Sequence, residues 1–305
     1  MSATIHFTEL EPITVKSPAT ITGQLKKLRE RGCIIDDEAK ARRTLETINY
    51  FRLVHYFAVF LENKGKYKEG TRFDDVIRIY DFDRLLRAQV LVILEETEIA
   101  FRAAVSNYHA VKYGAVGYLN ADSFDRRHNH RVFMNKIERM VEKNSDLSIV
   151  RHHNKKYGGA LPLWVMMEMF SFGSLVFFFQ DMNISDKKEI SDYYFKQDYR
   201  LVDNWLEYLS DLRNHCAHYN RVYGNLLPKG LRSISVTEPR EYETGNSLFD
   251  YLLVIKQLHK REESWGSSFV TSLGRLFFTY KDDIDLRVLG FPEDWKEFLG
   301  GQLHE

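Results

Sequence analysis

Residues 211 to 221 read Asp211-Leu212-Arg213-Asn214-His215-Cys216-Ala217-His218-Tyr219-Asn220-Arg221. Two imidazoles in so short a run offer proton transfer near neutral pH, and Arg213 and Arg221 offer fixed positive charge for an anion. The pattern suggests acid–base chemistry at a charged group. On a helix stepped at 100° per residue from Val202, the side chains of Val202, Trp205, Leu206, Leu209, Leu212 and Cys216 form one apolar arc. Asn214, His218 and Arg221 share a separate polar face. Arg213 projects from within the apolar arc, where an unpaired guanidinium is costly to bury, so it requires a partner. Two readings stay open: a catalytic Arg–His pair, or an arginine in a buried ion pair with His218 as a capping or core histidine.

The chain around this run is long enough, at 305 residues, to bury a substantial core. Its 44% apolar and 14% aromatic content excludes global disorder. The 43 basic and 43 acidic residues cancel, so attraction to nucleic acid must come from local basic patches. Cys33 and Cys216 are too few for a disulfide framework, and no signal peptide opens the sequence, which points to the cytoplasm.

The elements that must position the run are helical. Residues 1–16 read as an arm. Thr20 and Asp36-Asp37 supply helix starts, and Gly32 a stop. The helices between them expose Lys26, Lys27, Arg29, Arg31, Lys40, Arg42 and Arg43, partly offset by Glu30, Glu38 and Glu46: a solvated face or an RNA-backbone contact. Ile48 to Phe57 is aromatic-rich, encloses Arg52 and reads as core. A Lys/Gly loop at 64–70 follows. From 73 to 111 the pattern predicts one long helix with two apolar arcs, one through Ile79, Phe82, Leu86, Val90, Ile93, Leu94, Phe101 and Tyr108, the other through Leu85, Val92, Ile99 and Ala103. Such a helix is expected in the middle of a bundle, with Glu98 and Arg102 as an i,i+4 pair and Glu95 or Glu98 as the leading partner for Arg213.

Residues 114–160 carry two basic clusters, Arg126, Arg127, His128, His130, Arg131 and Arg151, His152, His153, Lys155, Lys156. These read as solvated loops or as RNA contacts, and their histidines lack regular metal spacing. Residues 161–180 predict one apolar helix with Pro162 in its first turn and Glu168 as a second possible partner for Arg213. Glu168, Ser171, Gly173 and Ser174 interrupt it, so a central bundle position is expected, not a membrane span. A Pro/Gly/Ser-rich loop at 224–247 and a helix near 248–260 complete the pattern. The division expected is 1–70 as an N-terminal arm and helical region with a possible RNA-binding surface, 71–225 as the helical core, and 226–305 as a loop and C-terminal helical extension.

The run Arg213-Asn214-His215-Cys216-Ala217-His218 resembles the signature of the HEPN superfamily of helical ribonucleases and nucleic-acid-binding domains. With its continuation through Tyr219-Asn220-Arg221-Val222-Tyr223-Gly224, it is similar to the Abi family, the AbiD/AbiF-like proteins of bacterial phage defence. The likeness extends to Asn49-Tyr50-Phe51-Arg52-Leu53, to Phe-Asp-Arg-Leu-Leu-Arg at 82–87, to Glu-Ile-Ala-Phe-Arg at 98–102, to Pro162-Leu163-Trp164 with the following Glu and Ser-Phe-Gly, and to Leu-Gly-Phe-Pro-Glu-Asp-Trp at 289–295.

The resemblance implies an all-α fold, an RNA-directed activity without cofactor or metal, and a homodimer that brings two Arg–His sites together. For cleavage, His218 would act as base or acid, Arg213 would stabilise the phosphorane, and Asn214 would orient the ring of His218 or the phosphate. Five helical steps set Arg213 and His218 about 140° apart, so a facing copy of the motif is expected to complete the site. RNA contacts are expected at Lys26, Lys27, Arg29, Arg31, Arg42, Arg43, Arg52, Arg126, Arg127, Arg131, Arg151, Lys155, Lys156 and Arg221, including a surface for a structured small regulatory RNA. The alternative is an RNA-binding protein that does not cleave.

Overall fold

The computed structural model describes residues 17–62, 65–225, 227–236, 239–261 and 263–300. The expected arm at 1–16 and Lys64 lie outside these. The fold is all-α, 67% helical, as the hydrophobic periodicity requires. Its one described strand pairing is a two-residue antiparallel hairpin, β1 (Ser235–Val236) with β2 (Tyr242–Glu243), within the long loop. By compactness the chain divides into two units, Met1–Tyr80 and Asp81–Glu305.

In the first unit the start signals hold. Thr20 caps α1 (Ile21–Glu30) by accepting from the Gly23 N–H, and Asp37 caps α2 (Glu38–Thr47) by accepting from the Lys40 N–H at 2.8 Å. Gly32 supplies the positive φ, +94°, that ends α1. Asn49 caps α3 (Tyr50–Phe57), whose Leu53, Tyr56 and Phe57 are buried. The core expectation fails for Phe51, which is 72% exposed, and for His55, which is exposed and meets the Phe51 ring edge-on at 5.3 Å. One helical face holds the core residues, and these two fall on the other.

The long helix is present as α4 (Phe73–Tyr113), 41 residues. Its first apolar arc is buried from Ile79 through Phe101. Tyr108 stands apart, only part-buried, with its hydroxyl 2.6 Å from Glu189. The second arc does not lie inside the bundle. Val92 is 58% and Ile99 51% exposed, and Ala103 is exposed beside them.

The apolar stretch at 161–180 is two helices, α7 (Leu163–Met169) and α8 (Phe172–Asp181), with Pro162 at the N-cap position of α7. Ser171 causes the break, since its hydroxyl accepts from the Ser174 N–H at 3.2 Å and starts a new helix. Between α4 and α7 lie α5 (His130–Lys143) and α6 (Ser148–Lys156). The second basic cluster is therefore helical and not a loop. After α9 (Ile184–Ile190) and a π-turn, α10 (Tyr199–Ala217) packs along α8, with Val202, Trp205, Leu206, Leu209, Leu212 and Cys216 all buried as the wheel predicts. α11 (Leu248–Leu258), opened by a Ser247/Asp250 capping box, α12 (Thr271–Thr279) and α13 (Trp295–Leu299) follow. Among the described residues no helix is long and apolar enough to cross a membrane.

Candidate active site at the end of helix α10

Arg213 lies near the C-terminus of α10, at the edge of the buried arc, with its side chain 36% exposed. Glu98 of α4 is its partner, with Nε 3.8 Å from Oε2, while Glu95 and Glu168 are exposed and take no part. The other oxygen of Glu98 accepts from Arg102 Nη2 at 2.6 Å. The same nitrogen donates to the Phe170 carbonyl at 3.0 Å, a carbonyl freed by the break between α7 and α8. One carboxylate thus serves two guanidiniums and leaves a net positive charge, with Arg102 Nη1 buried and lacking a partner. Three of the segments that carry the family resemblance meet in this network.

Asn214 holds Arg213, because its Oδ1 accepts from Nη1 at 3.1 Å. Its link to His218 runs through the backbone, where the His218 N–H donates to the Asn214 carbonyl at 2.9 Å.

The two histidines differ in kind. His215 Nε2 lies 2.9 Å from the Arg221 carbonyl, which only accepts, so that nitrogen carries the proton and the ring is a structural tie. His218 caps α10, is exposed, and has no side-chain partner among the described residues. It is the imidazole available to a substrate. Its surroundings are held by a Schellman turn, in which the Asn220 N–H reaches the His215 carbonyl at 3.0 Å and the Tyr219 N–H the Cys216 carbonyl at 3.1 Å. The left-handed position of this turn, φ +62°, is occupied by Tyr219, which has a Cβ to accommodate. Burial pushes the Cys216 thiol up to about 12, which removes it as a nucleophile.

Sequence reasoning missed the anchor of the site. Asp83 and Arg87 of α4 form a buried ion pair, and Asp83 Oδ1 accepts from the backbone N–H groups of Val222 at 2.9 Å and Tyr223 at 2.7 Å. This fixes the chain leaving α10. The signal was present, for the two lie at i and i+4 beside Phe82, Leu86 and Val90 on the buried arc, where charges require partners.

The expected RNA-contacting residues fall into several situations. Arg29 pairs with Glu38 at 2.7 Å, Arg42 with the same carboxylate at 3.4 Å, and Lys26 with Glu30 at 3.8 Å, so much of that charge is neutralised locally. The two guanidiniums hold Glu38 below the usual carboxylate range. Lys27 lies over the Tyr50 ring at 5.9 Å, Arg43 is exposed, and Arg31 and Arg52 are part-buried. Arg126, Arg127, Arg131, Arg151, Lys155 and Lys156 are exposed in the second unit, where Arg221 donates to the Gly224 carbonyl at 3.2 Å. Two of the neighbouring histidines are tied into the structure: His128 stacks on Phe124 at 4.2 Å and bonds Asp181 at 2.9 Å, and His153 bonds the Ala160 carbonyl at 3.0 Å. Among the described residues no group of three or more His, Cys, Asp or Glu is arranged to hold a metal ion.

A family model described as Abi-like protein matches residues 43–224, more than half of the chain and every residue of the network above. Neither a curated protein nor a solved structure matches it.

Proposed function

The chain belongs to the Abi-like protein family, whose name denotes abortive infection, the defence in which a phage-infected bacterium arrests; from that premise we propose that it is a HEPN-type endoribonuclease acting without a metal. The observation that carries this reading is the net-positive Arg102–Glu98–Arg213 network together with an exposed, unengaged His218 five residues after Arg213 at the end of α10. The reaction is attack of a ribose 2′-oxygen on the adjacent phosphorus with departure of the 5′-oxygen. His218 takes the proton of the 2′-hydroxyl or gives one to the leaving oxygen, and Arg213, held by Asn214, faces the charge of the phosphorane. The products are a 2′,3′-cyclic phosphate and a 5′-hydroxyl.

One chain supplies one such imidazole, so the second proton-transfer group comes from a two-fold related copy. The exposed Val92 and Ile99 on α4 support this, as they form an apolar stripe beside Glu98 and Arg102 on the same helix. A structured small RNA restrains the enzyme through the basic clusters, held by shape and backbone. The second reading, RNA binding without cleavage, draws on the Glu98–Arg213 pair, which occupies part of that guanidinium.

The test is gel analysis of RNA incubated with pure protein in EDTA. Wild type cleaves, and Arg213→Ala or His218→Ala lowers the rate by about a hundredfold or more while RNA binding and helical content persist. If both variants cleave at the wild-type rate, the site is misassigned.

A further inference from the structure

A cleft of about 400 Å³ in the second unit, away from Arg213 and His218, gathers Arg127, Lys187, Arg200, Asp203 and Arg232. Its floor is incompletely satisfied. The Lys187 side chain is only 6% exposed, yet its ammonium donates to the Gln180 carbonyl at 3.1 Å and stands 3.7 Å from Asp203 Oδ2, beyond hydrogen-bond length. The other oxygen of that carboxylate, Oδ1, is buried with no partner. A buried ammonium 3.7 Å from its carboxylate, with the Tyr199 ring 5.7 Å away, and a buried carboxylate oxygen without a donor are both costly.

The rim is built in advance. Arg127 and Arg200 each sit two residues after an aspartate that accepts from their backbone N–H and their Nε: Asp125 Oδ1 at 3.0 and 2.8 Å, Asp198 Oδ1 at 2.8 and 3.0 Å. The clamp fixes each guanidinium by its Nε edge, and Asp198 also takes Arg200 Nη2 at 3.0 Å. Terminal donors remain on both. Arg232 is placed by Asn204, whose Oδ1 accepts from the Arg232 N–H at 2.6 Å while its Nδ2 donates to the Gly230 carbonyl at 3.0 Å. Arg232 Nη1 then donates to the Arg200 carbonyl at 3.3 Å, which ties the Arg232 guanidinium to the first turn of α10.

A ligand suited to this cleft carries an anion for the guanidiniums and a hydroxyl donor for the Asp203 carboxylate, whose side chain is 28% exposed. We propose that this cleft binds a phosphorylated ribose, as a free nucleoside 5′-phosphate or as the 5′-phosphorylated end of an RNA. Planar guanidiniums suit phosphate oxygens, and a carboxylate suits a ribose hydroxyl. Arg213 lies thirteen helical steps after Arg200 on α10, about 20 Å of helix, so this is a second site and not part of the first.

Binding is measured by titration calorimetry on Arg213→Ala protein, to leave oligonucleotides intact, with AMP, adenosine, and one short oligoribonucleotide bearing either a 5′-phosphate or a 5′-hydroxyl. AMP or the phosphorylated oligonucleotide binds, and loss of the phosphate weakens binding about tenfold or more. AMP binding as tight as the oligonucleotide identifies a free nucleotide as the source; binding of the oligonucleotide alone identifies an RNA end. Arg232→Ala and Asp203→Ala each weaken binding about tenfold with unchanged helical content. Absence of binding by both phosphorylated probes, or unaltered affinity in an Arg200→Ala/Arg232→Ala variant whose fold is intact, overturns the proposal. Cleavage of the oligonucleotide by the Arg213→Ala protein bears on the catalytic site and leaves this test standing, read with AMP.

Discussion

At the scale of single residues, the candidate site depends on which charged and titratable side chains are tied into the structure and which face solvent. His215 is tied to the Arg221 carbonyl and His218 is not, and Arg213 shares Glu98 with Arg102 while keeping a third of its side chain exposed. Tyr219 holds a left-handed backbone next to His218, a conformation costing a non-glycine residue about 1 kcal/mol or more. Tyr219→Gly is expected to stabilise the protein by about 1 kcal/mol in urea denaturation. A loss of stability would show that contacts of the tyrosine ring outweigh the strain. The wheel made Arg213 legible as a residue in need of a partner and left Glu95, Glu98 and Glu168 as candidates. Deciding among them needed the distance between α4 and α10, which periodicity does not contain.

Elements then decide where those side chains point. α10 was readable almost whole, because its buried arc repeats without interruption from Val202 to Cys216. α4 was readable in extent but not in orientation. A second apolar arc on a helix has the same pattern whether it meets another helix or solvent, and Val92 and Ile99 meet solvent. The break at Phe170 and Ser171 supplies the carbonyl that holds Arg102, and Ser171, one of the polar residues interrupting the apolar stretch, marks it without showing that the helix ends there. Asp83 is the element-scale clasp, binding α4 to the backbone at Val222 and Tyr223. Asp83→Ala leaves Arg87 buried without that carboxylate and frees two backbone donors, so it should cost about 3–5 kcal/mol in chemical denaturation. A loss below about 1 kcal/mol would contradict the clasp.

For the whole molecule, two properties follow from burial and exposure. His109 is fully buried among Tyr113, Phe124 and Phe178, with both ring nitrogens lacking partners, and burial lowers it to about 4 from an ordinary 6.5. The folded state keeps this ring neutral and the unfolded state does not. Its contribution is therefore complete above about pH 6.5 and is lost as pH falls toward about 4, a loss of about 3 kcal/mol. Denaturation midpoints followed across that range should fall less steeply for His109→Phe than for wild type; parallel curves would contradict the assignment. The apolar stripe on α4 predicts a dimer at micromolar concentration by light scattering. Val92→Glu/Ile99→Glu should be monomeric, still helical and inactive on RNA, whereas a monomeric wild type that cleaves would rule out the composite site.

The central claim, metal-free transesterification by Arg213 and His218, is tested most directly at the ends of the RNA it makes. Fragments produced in EDTA should carry 2′,3′-cyclic phosphate and 5′-hydroxyl termini, resolved by mass spectrometry, and should be missing with Arg213→Ala and His218→Ala. Fragments ending in 3′-hydroxyl and 5′-phosphate, or cleavage that EDTA abolishes, would contradict it.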